Sequence, residues 1–441
     1  MFSRRIRRRI RTLARGIENG LVSPQTAYLA CEPFFRLLGR RRNAGGTDLS
    51  GVRSVLVVRL DEIGDVVMTA PFLRELRRNL KKAWITLVVN PAVFNLVKSC
   101  PYVNEVLIYD GRADGRFGLL RRHGRALRLA YRHLLRRRFA LAIAPRWDAD
   151  HYNAAMVAYL GGAAQRVGYP DRPIAGKKGV SAGLDILYTQ VIDGDGVKHE
   201  VERNLDVILA LGGKIEKTGL ELWHRGGDAV YADLKMRDGE VEPDDLVVAL
   251  CPSGGNSALK KWPIERFIEL GRWLQTEYDA RIVLVGGPRD QSLGGAIQLA
   301  LGRSVINTIG TTSLTQTGAV LKKCSLYVGC DTGPMHLAAA SGTPVVALFG
   351  SSCHHRFGPW GSGHRIVSST LPCSPCLGHD HIDRCGKCSH DWPLCMSGIA
   401  VEQVKAAVAE CVAAIKPYSR VEIQSSHTAG SAAQRVSPPV G

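Results

Sequence analysis

Three loops in this chain combine small residues with charge in a pattern suited to holding an anion or a sugar. The first is Arg59-Leu60-Asp61-Glu62-Ile63-Gly64-Asp65, the end of a β-branched run and the turn after it. Glycine there permits a tight strand-to-helix turn, and the Asp65 carboxylate then stands at a helix start, facing the space beyond the strand ends. At that position it either only complements the helix dipole, worth about 0.3–1 kcal/mol, or acts on something in a cleft. The loop lacks the G-x-G-x-x-G pattern, which argues against an ordinary dinucleotide oxidoreductase. The second loop runs from Cys251 to Pro263 (CPSGGNSALKKWP). Ser253, Gly254 and their small neighbours let backbone N–H groups approach an anion, and Lys260 or Lys261 can neutralise it. The third contains Asp331-Thr332-Gly333-Pro334-Met335-His336. A strand ends in Asp331 and a helix begins at about Pro334, so free N–H groups point at the cleft, an arrangement that favours a pyrophosphate. Asp331 is placed to accept hydrogen bonds from sugar hydroxyls. His336 is either a ligand contact or a satisfied structural histidine.

Charge and cysteine are both unevenly spread. Of the net +18, eleven arginines fall in residues 1–42 against Glu18 and Glu32, and ten fall in residues 112–138 against Asp114. Such concentration implies an anionic partner, phospholipid headgroups or nucleic acid, and no nucleic-acid motif accompanies it. Leu119–Leu135 carries Leu120, Leu127, Tyr131, Leu134 and Leu135 on one side with arginines around them. The plain reading is a solvated charged face; the one favoured is contact with membrane phosphates or an anionic lipid-linked molecule. Five of twelve cysteines lie within 23 residues, and Cys373-x-x-Cys376 is separated from Cys385-x-x-Cys388 by eight residues. That spacing is compatible with a structural four-thiolate zinc site, with Cys395, His379, His381 and His390 as spare ligands. No run of about 18 apolar residues occurs, and no secretory signal follows the basic N-terminus. The expected location is the cytoplasm, peripheral on the inner face of a membrane.

The elements that must position the loops alternate as strand and helix. Ser54–Leu60, Trp84–Val89, Glu105–Tyr109 and Phe139–Ala144 read as buried parallel strands in the first half. Leu246–Leu250, Arg281–Val285, Ser325–Gly329 and Pro344–Phe349 repeat the theme. The expected fold class is α/β, two doubly wound domains facing a central cleft. Residues 1–50 read as a basic amphipathic extension, with a helix over residues 6–21 that Pro24 ends. Residues 51–220 form one domain, 221–415 the second with the Cys-rich segment 373–395, and 416–441 a disordered tail.

The run DTGPMHLAAASGTPVVALFG, with LDEIGD far upstream, resembles the signature of glycosyltransferase family 9, the ADP-heptose:lipopolysaccharide heptosyltransferases. Leu160–Ala163, Arg166–Tyr169, His199–Arg203 and Lys260–Pro263 fit as well, so the likeness runs from about residue 52 to 413. It implies a GT-B fold of two Rossmann-like domains and an inverting transfer from a nucleotide-sugar donor to a lipid-linked saccharide acceptor. No metal or cofactor would be required for catalysis. Asp65 matches the general base and Lys260 the lysine that stabilises the departing nucleotide. Asp331 matches the sugar-binding carboxylate, Thr332 and Gly333 the amide cradle, and His336 follows in register. Ser253 and Gly254 join the donor site. Lys261 could replace Lys260 if the loop is one residue out of step. Asp193-Gly194-Asp195 and Asp148-Ala149-Asp150 spell the D-x-D of metal-dependent transferases, but each reads as a turn. Alternatives are a nucleotide-sugar epimerase of the same fold and a non-enzymatic anion- or nucleic-acid-binding protein.

Overall fold

A computed structural model describes residues 23–37, 49–115, 117–147, 149–170, 183–194, 196–302, 304–376, 388 and 390–428. After helix α1 (Pro24–Leu37), the first half runs β1 (Ser54–Arg59), α2 (Ile63–Met68), α3 (Ala70–Asn79), β2 (Trp84–Val89), β3 (Glu105–Ile108) and α4 (Gly118–Leu129). It continues through β4 (Leu141–Ala144), α5 (Ala154–Leu160), β5 (Gln165–Gly168), β6 (Gln190–Val191) and α6 (Glu200–Ala210). The second half runs α7 (Gly226–Asp238), β7 (Val247–Cys251), α8 (Ile264–Tyr278), β8 (Arg281–Leu284), α9 (Gln291–Leu301) and β9 (Ile306–Asn307). It ends with α10 (Leu314–Lys322), β10 (Leu326–Cys330), α11 (Gly333–Ala340), β11 (Val345–Phe349), β12 (Arg365–Ser368) and α12 (Val401–Thr428).

Each half forms a six-stranded sheet, in the orders β3-β2-β1-β4-β5-β6 and β12-β11-β10-β7-β8-β9. All the strand pairings are parallel. Read from its own first strand, the first half follows the order 3-2-1-4-5-6 of doubly wound nucleotide-binding folds, and the second half runs 6-5-4-1-2-3, the same order from the other edge. In that topology the chain switches direction between the first and fourth strands, and ligands bind beyond their carboxyl ends. Those ends are the loops after β1, β4, β7 and β10.

Alternation along the strands explains how both sheet faces are buried. Val55 and Val57 point to one side of β1, and Leu56 and Val58 to the other. The first side shares one continuous apolar layer with Val247, Ala249 and Cys251 of β7, so the halves are joined through core and not only across a cleft. Val248, Leu250, Ile282 and Leu284 belong to the outer layer of the second half, which also takes in Val404, Val408 and Cys411 of α12, packed against β11, β12 and α8.

The structure departs from the sequence reading in several places. The helix expected to start at Asp65 is short and breaks at Thr69, because Pro71 at the second position of α3 cannot donate to a continuing ladder. Pro24 begins a helix, a position where its fixed φ is favourable. That helix is docked, with the Phe35 and Tyr159 rings edge-on at 5.4 Å. The basic helix expected at residues 6–21 lies outside the described residues. So do residues 38–48 and 429–441. The backbone is helical over 416–428, where the sequence reads as tail: a helix once nucleated in the Ala-rich turns from Val401 propagates at little cost.

Candidate active site

The four loops at the two switch points line one cleft of about 550 Å³. From the second half come Ser253, Gly254, Lys260, Asp331, Thr332, Gly333 and His336; from the first come Arg59, Asp65 and Arg146. Every residue read from the sequence as catalytic or donor-binding therefore lies on one cavity wall or the other.

On the second half's side, the loop after β7 folds back on itself. The Ser253 hydroxyl accepts the Gly255 N–H at 3.0 Å. Gly255 sits at φ +62°, a left-handed conformation that side chains disfavour. The short turn Ala258–Lys260 then delivers Lys260 to the cleft. Its ammonium lies 2.6 Å from Asp331 Oδ2, and His336 Nε2 lies 3.7 Å from Oδ1. Asp331 is only 5% exposed. Burial alone pushes its carboxyl up, but Lys260 and His336 beside it hold it well below the usual carboxylate range. Thr332, extended at φ −148°, caps α11, and Pro334 takes a position where a missing N–H does no harm. His336 is buried, with no partner for Nδ1 among the described residues. Lys261 is exposed and does not line the cleft, so Lys260 is the cleft lysine.

Facing it, α2 begins at the end of β1. Asp65 Oδ2 accepts the Glu62 N–H at 3.3 Å, and Oδ1 lies 3.7 Å from Arg59 Nη2. Asp65 thus caps the helix and also remains 23% exposed on the cleft wall, a position that either sequence reading requires. The reason for Gly64 differs from the one expected. It lies within α2 at an ordinary negative φ, so no tight turn requires glycine. A Cβ there would stand 2.5 Å from His336 Cδ2, and one on Gly333 would stand 2.9 Å from Ile63. The two glycines let α2 and α11 touch across the cleft.

Several largely buried charged groups to which sequence reasoning gave no role brace the cleft wall. Arg59 is 2% exposed; it donates to the Pro145 carbonyl at 2.7 Å and pairs with Asp61 at 2.9 Å. Arg146, after β4, pairs with the other Asp61 oxygen. Glu200 and Arg356 form a buried pair at 2.6 Å that bridges the halves. Beside it His199 Nδ1 accepts the Val201 N–H, and Nε2 donates to the Gly358 carbonyl at 2.9 Å. Burial lowers the His199 pKa, which suits the neutral ring this requires. Partners separated by up to 159 residues leave no local trace. The signal that was available is an arginine inside the buried run SVLVVR.

Asp150 and Asp193, the D-x-D carboxylates among the described residues, do not line the cleft. Both Asp150 oxygens accept N–H groups of Ala154 and Ala155 at the start of α5. Asp148 and Asp195 lie outside the described residues. Of the expected zinc ligands, Cys385 also lies outside them. Cys373 Sγ is 4.0 Å from His390 Nε2, and Cys388 Sγ accepts the His390 N–H at 3.5 Å. Among the described residues no three His, Cys, Asp or Glu side chains are grouped to hold a metal ion.

Residues 130–385 match glycosyltransferase family 9 (heptosyltransferase). The chain belongs to that family. It is 26% identical to lipopolysaccharide heptosyltransferase 2 of Escherichia coli (strain K12) over 313 residues, covering 68% of this chain and 83% of that one. It is 29% identical to lipopolysaccharide heptosyltransferase 3 of the same strain over 170 residues, 37% of this chain and 47% of that one. Among solved structures, the family 9 glycosyl transferase of Veillonella parvula DSM 2008 superposes with a TM-score of 0.67 at 20% identity, covering 84% and 99% of the two chains. The E. coli ADP-heptose lps heptosyltransferase II gives 0.58 at 21% identity, covering 81% and 99%. These likenesses carry the GT-B fold. This family 9 protein is a glycosyltransferase of the lipopolysaccharide heptosyltransferase type, and the epimerase and pure binding-protein readings are not favoured.

Proposed function

We propose that the chain is an inverting, metal-independent heptosyltransferase that moves heptose from ADP-heptose to a sugar of a lipid-linked lipopolysaccharide core. The observation that carries this reading is the apposition of Asp65 with the Lys260–Asp331 pair across one cleft. In the proposed reaction the acceptor hydroxyl gives its proton to Asp65 as its oxygen attacks the anomeric carbon. The bond to the diphosphate breaks on the opposite face, so the configuration inverts. The charge that develops on ADP is met by Lys260 and by the N–H groups at the start of α11, which makes a metal unnecessary for departure. Asp331, its charge held by Lys260, accepts sugar hydroxyls once the donor draws the lysine toward phosphate. We further propose that the enzyme is cytoplasmic and works peripherally at the inner membrane; among the described residues no helix is long and apolar enough to cross one. A structural zinc on Cys373, Cys376, Cys385 and Cys388 is a separate proposal, checked by the zinc content of the purified chain and of Cys373→Ser.

The test is donor turnover with a truncated core acceptor and EDTA present, comparing ADP-heptose with GDP- and UDP-sugars on wild type and Asp65→Ala. Acceptor-dependent ADP release that is lost in the variant supports donor, mechanism and base together. Turnover of another donor corrects the substrate, and no turnover by folded protein with any donor overturns the reading.

A further inference from the structure

Helix α4 and the turns that extend it to Arg137 present an unusual outer surface. Ala126, Leu129, Ala130 and Leu134 are buried in the apolar layer on the first sheet. This corrects the face read from the sequence, since Leu134 belongs to the core. Leu120, Leu127 and Tyr131 remain outside, the last two 53% and 72% exposed. They fall at helical spacing and form one apolar stripe. Arg128, Arg132 and Arg136 are exposed beside it, and none makes an ion pair among the described residues. A solvated helix face normally carries both signs of charge; the stretch 117–138 holds no acidic residue at all.

A second helix adds to this surface. On α1, Phe35 packs inward on Tyr159 with Ala27, Tyr28 and Cys31 around it, while Leu29, Phe34 and Leu37 point outward, Leu37 84% exposed. Both helices cover the same side of the first sheet, because both bury their inner faces in the cluster around Leu56, Val58 and Val88. Two outward apolar stripes on one layer, one flanked by unpaired arginine, match what an interfacial helix needs: apolar side chains for the acyl boundary and cations for the headgroups.

We propose that this layer, α4 with its extension and α1, is the surface that docks the enzyme on an anionic phospholipid leaflet. The partner is assigned by charge complementarity together with the exposed Leu127, Tyr131 and Leu37. Nucleic acid would meet the arginines but would leave those apolar side chains in water. The proposal rests on the reading of a lipid-linked acceptor and deepens it. It would bring the first half, which carries Asp65, against the membrane that holds the acceptor.

The test is co-sedimentation of the full chain with vesicles of phosphatidylcholine alone and with one-third phosphatidylglycerol. Two variants are compared with wild type, R128E/R132E/R136E and L127D/Y131D, with thermal melting as the control for folding. Preferential binding of wild type to the anionic vesicles is expected. Charge reversal should lower that partitioning at least about tenfold, and the apolar variant should lower it as well. Turnover of a water-soluble acceptor, measured separately, should stay unchanged in both variants, so failure of the docking surface and failure of the catalytic reading are distinguishable. Unchanged partitioning in both variants would overturn the proposal and leave any binding to the N-terminal arginines. Equal binding to neutral vesicles would also overturn it. So would loss of duplex-DNA binding, read by anisotropy, in place of loss of vesicle binding.

Discussion

The two halves share one strand order yet treat their cleft charges in opposite ways. In the second half the cleft ions are paired with each other, Lys260 to Asp331 at 2.6 Å, so any anion that takes the lysine must replace a partner already there. In the first half the pairing anchors the wall itself. Arg59 and Arg146 of the lining clasp the buried Asp61, and Asp65, steadied by a backbone N–H, faces the cleft. A site that exchanges partners is suited to binding and release. A site whose frame is fixed suits a group that must be oriented before the reaction begins.

The sharpest way to separate the two is Asp65→Asn. It preserves shape and removes the proton acceptor, so turnover should fall about 10²–10⁴-fold while calorimetry finds donor affinity unchanged. A matching loss of donor affinity would place Asp65 on the donor's side and end the contrast.

Lys260→Ala should cost about 10²–10³-fold in turnover, the scale for removing one group that stabilises developing charge, and donor affinity should fall with it. The pH dependence of stability should also change sign. In wild type the Asp331 carboxyl is held below its unfolded value. Its contribution is therefore present above about pH 4 and is lost only as pH falls through the lower, folded value. Without Lys260 burial dominates, with only His336 left opposite, and the folded pKa rises above the unfolded one. The variant should then gain stability, relative to wild type, as pH falls from 7 toward 4. Denaturant midpoints across that range read the difference, and parallel curves would mean that Lys260 does not hold the Asp331 charge.

Gly64→Ala tests whether the halves depend on close contact. Its Cβ would meet the His336 ring at 2.5 Å, inside any real contact distance. Either α2 and α11 separate or the ring moves; overpacking of this kind costs about 1–3 kcal/mol. The expected signature is a lower melting temperature together with reduced turnover, since the shift falls between Asp65 and Asp331. Full turnover would show that the cleft tolerates a wider gap.

Gly64 also shows what the sequence could and could not reveal. Its importance was legible, but the reason was not, because the atom it makes room for lies in a residue 272 positions away. Long buried strands were legible for a related reason. Trp84–Val89 is β2 to the residue, and the other seven expected strands lie within two residues of their observed ends, since a β-branched run buried on both faces has few other places to go. The strand Gln165–Gly168 and the edge strands Gln190–Val191, Ile306–Asn307 and Arg365–Ser368 were missed because they are short and partly polar, and only pairing with a neighbour makes them strands. The donor loops were legible because glycine, lysine and aspartate sit close together in sequence there. Arg59–Asp61–Arg146 and Glu200–Arg356 were not, being assembled by topology from distant segments.

The smallest expected effect decides the register of the second loop. Lys260 and Lys261 are adjacent, equally charged and interchangeable on composition, but the turn Ala258–Lys260 sends them apart. Lys260 meets Asp331; Lys261 is exposed, with its stem packed over Gly254. Lys261→Ala removes a solvated charge and part of a surface stem, so stability should change by no more than about 0.5 kcal/mol and donor affinity very little. The charge lies outside the cleft lining, where solvent and salt screen it from a bound phosphate. A tenfold loss of donor affinity in Lys261→Ala with none in Lys260→Ala would mean that the loop shifts by one residue when donor binds. The pairing of Lys260 with Asp331 would then belong to the empty cleft alone.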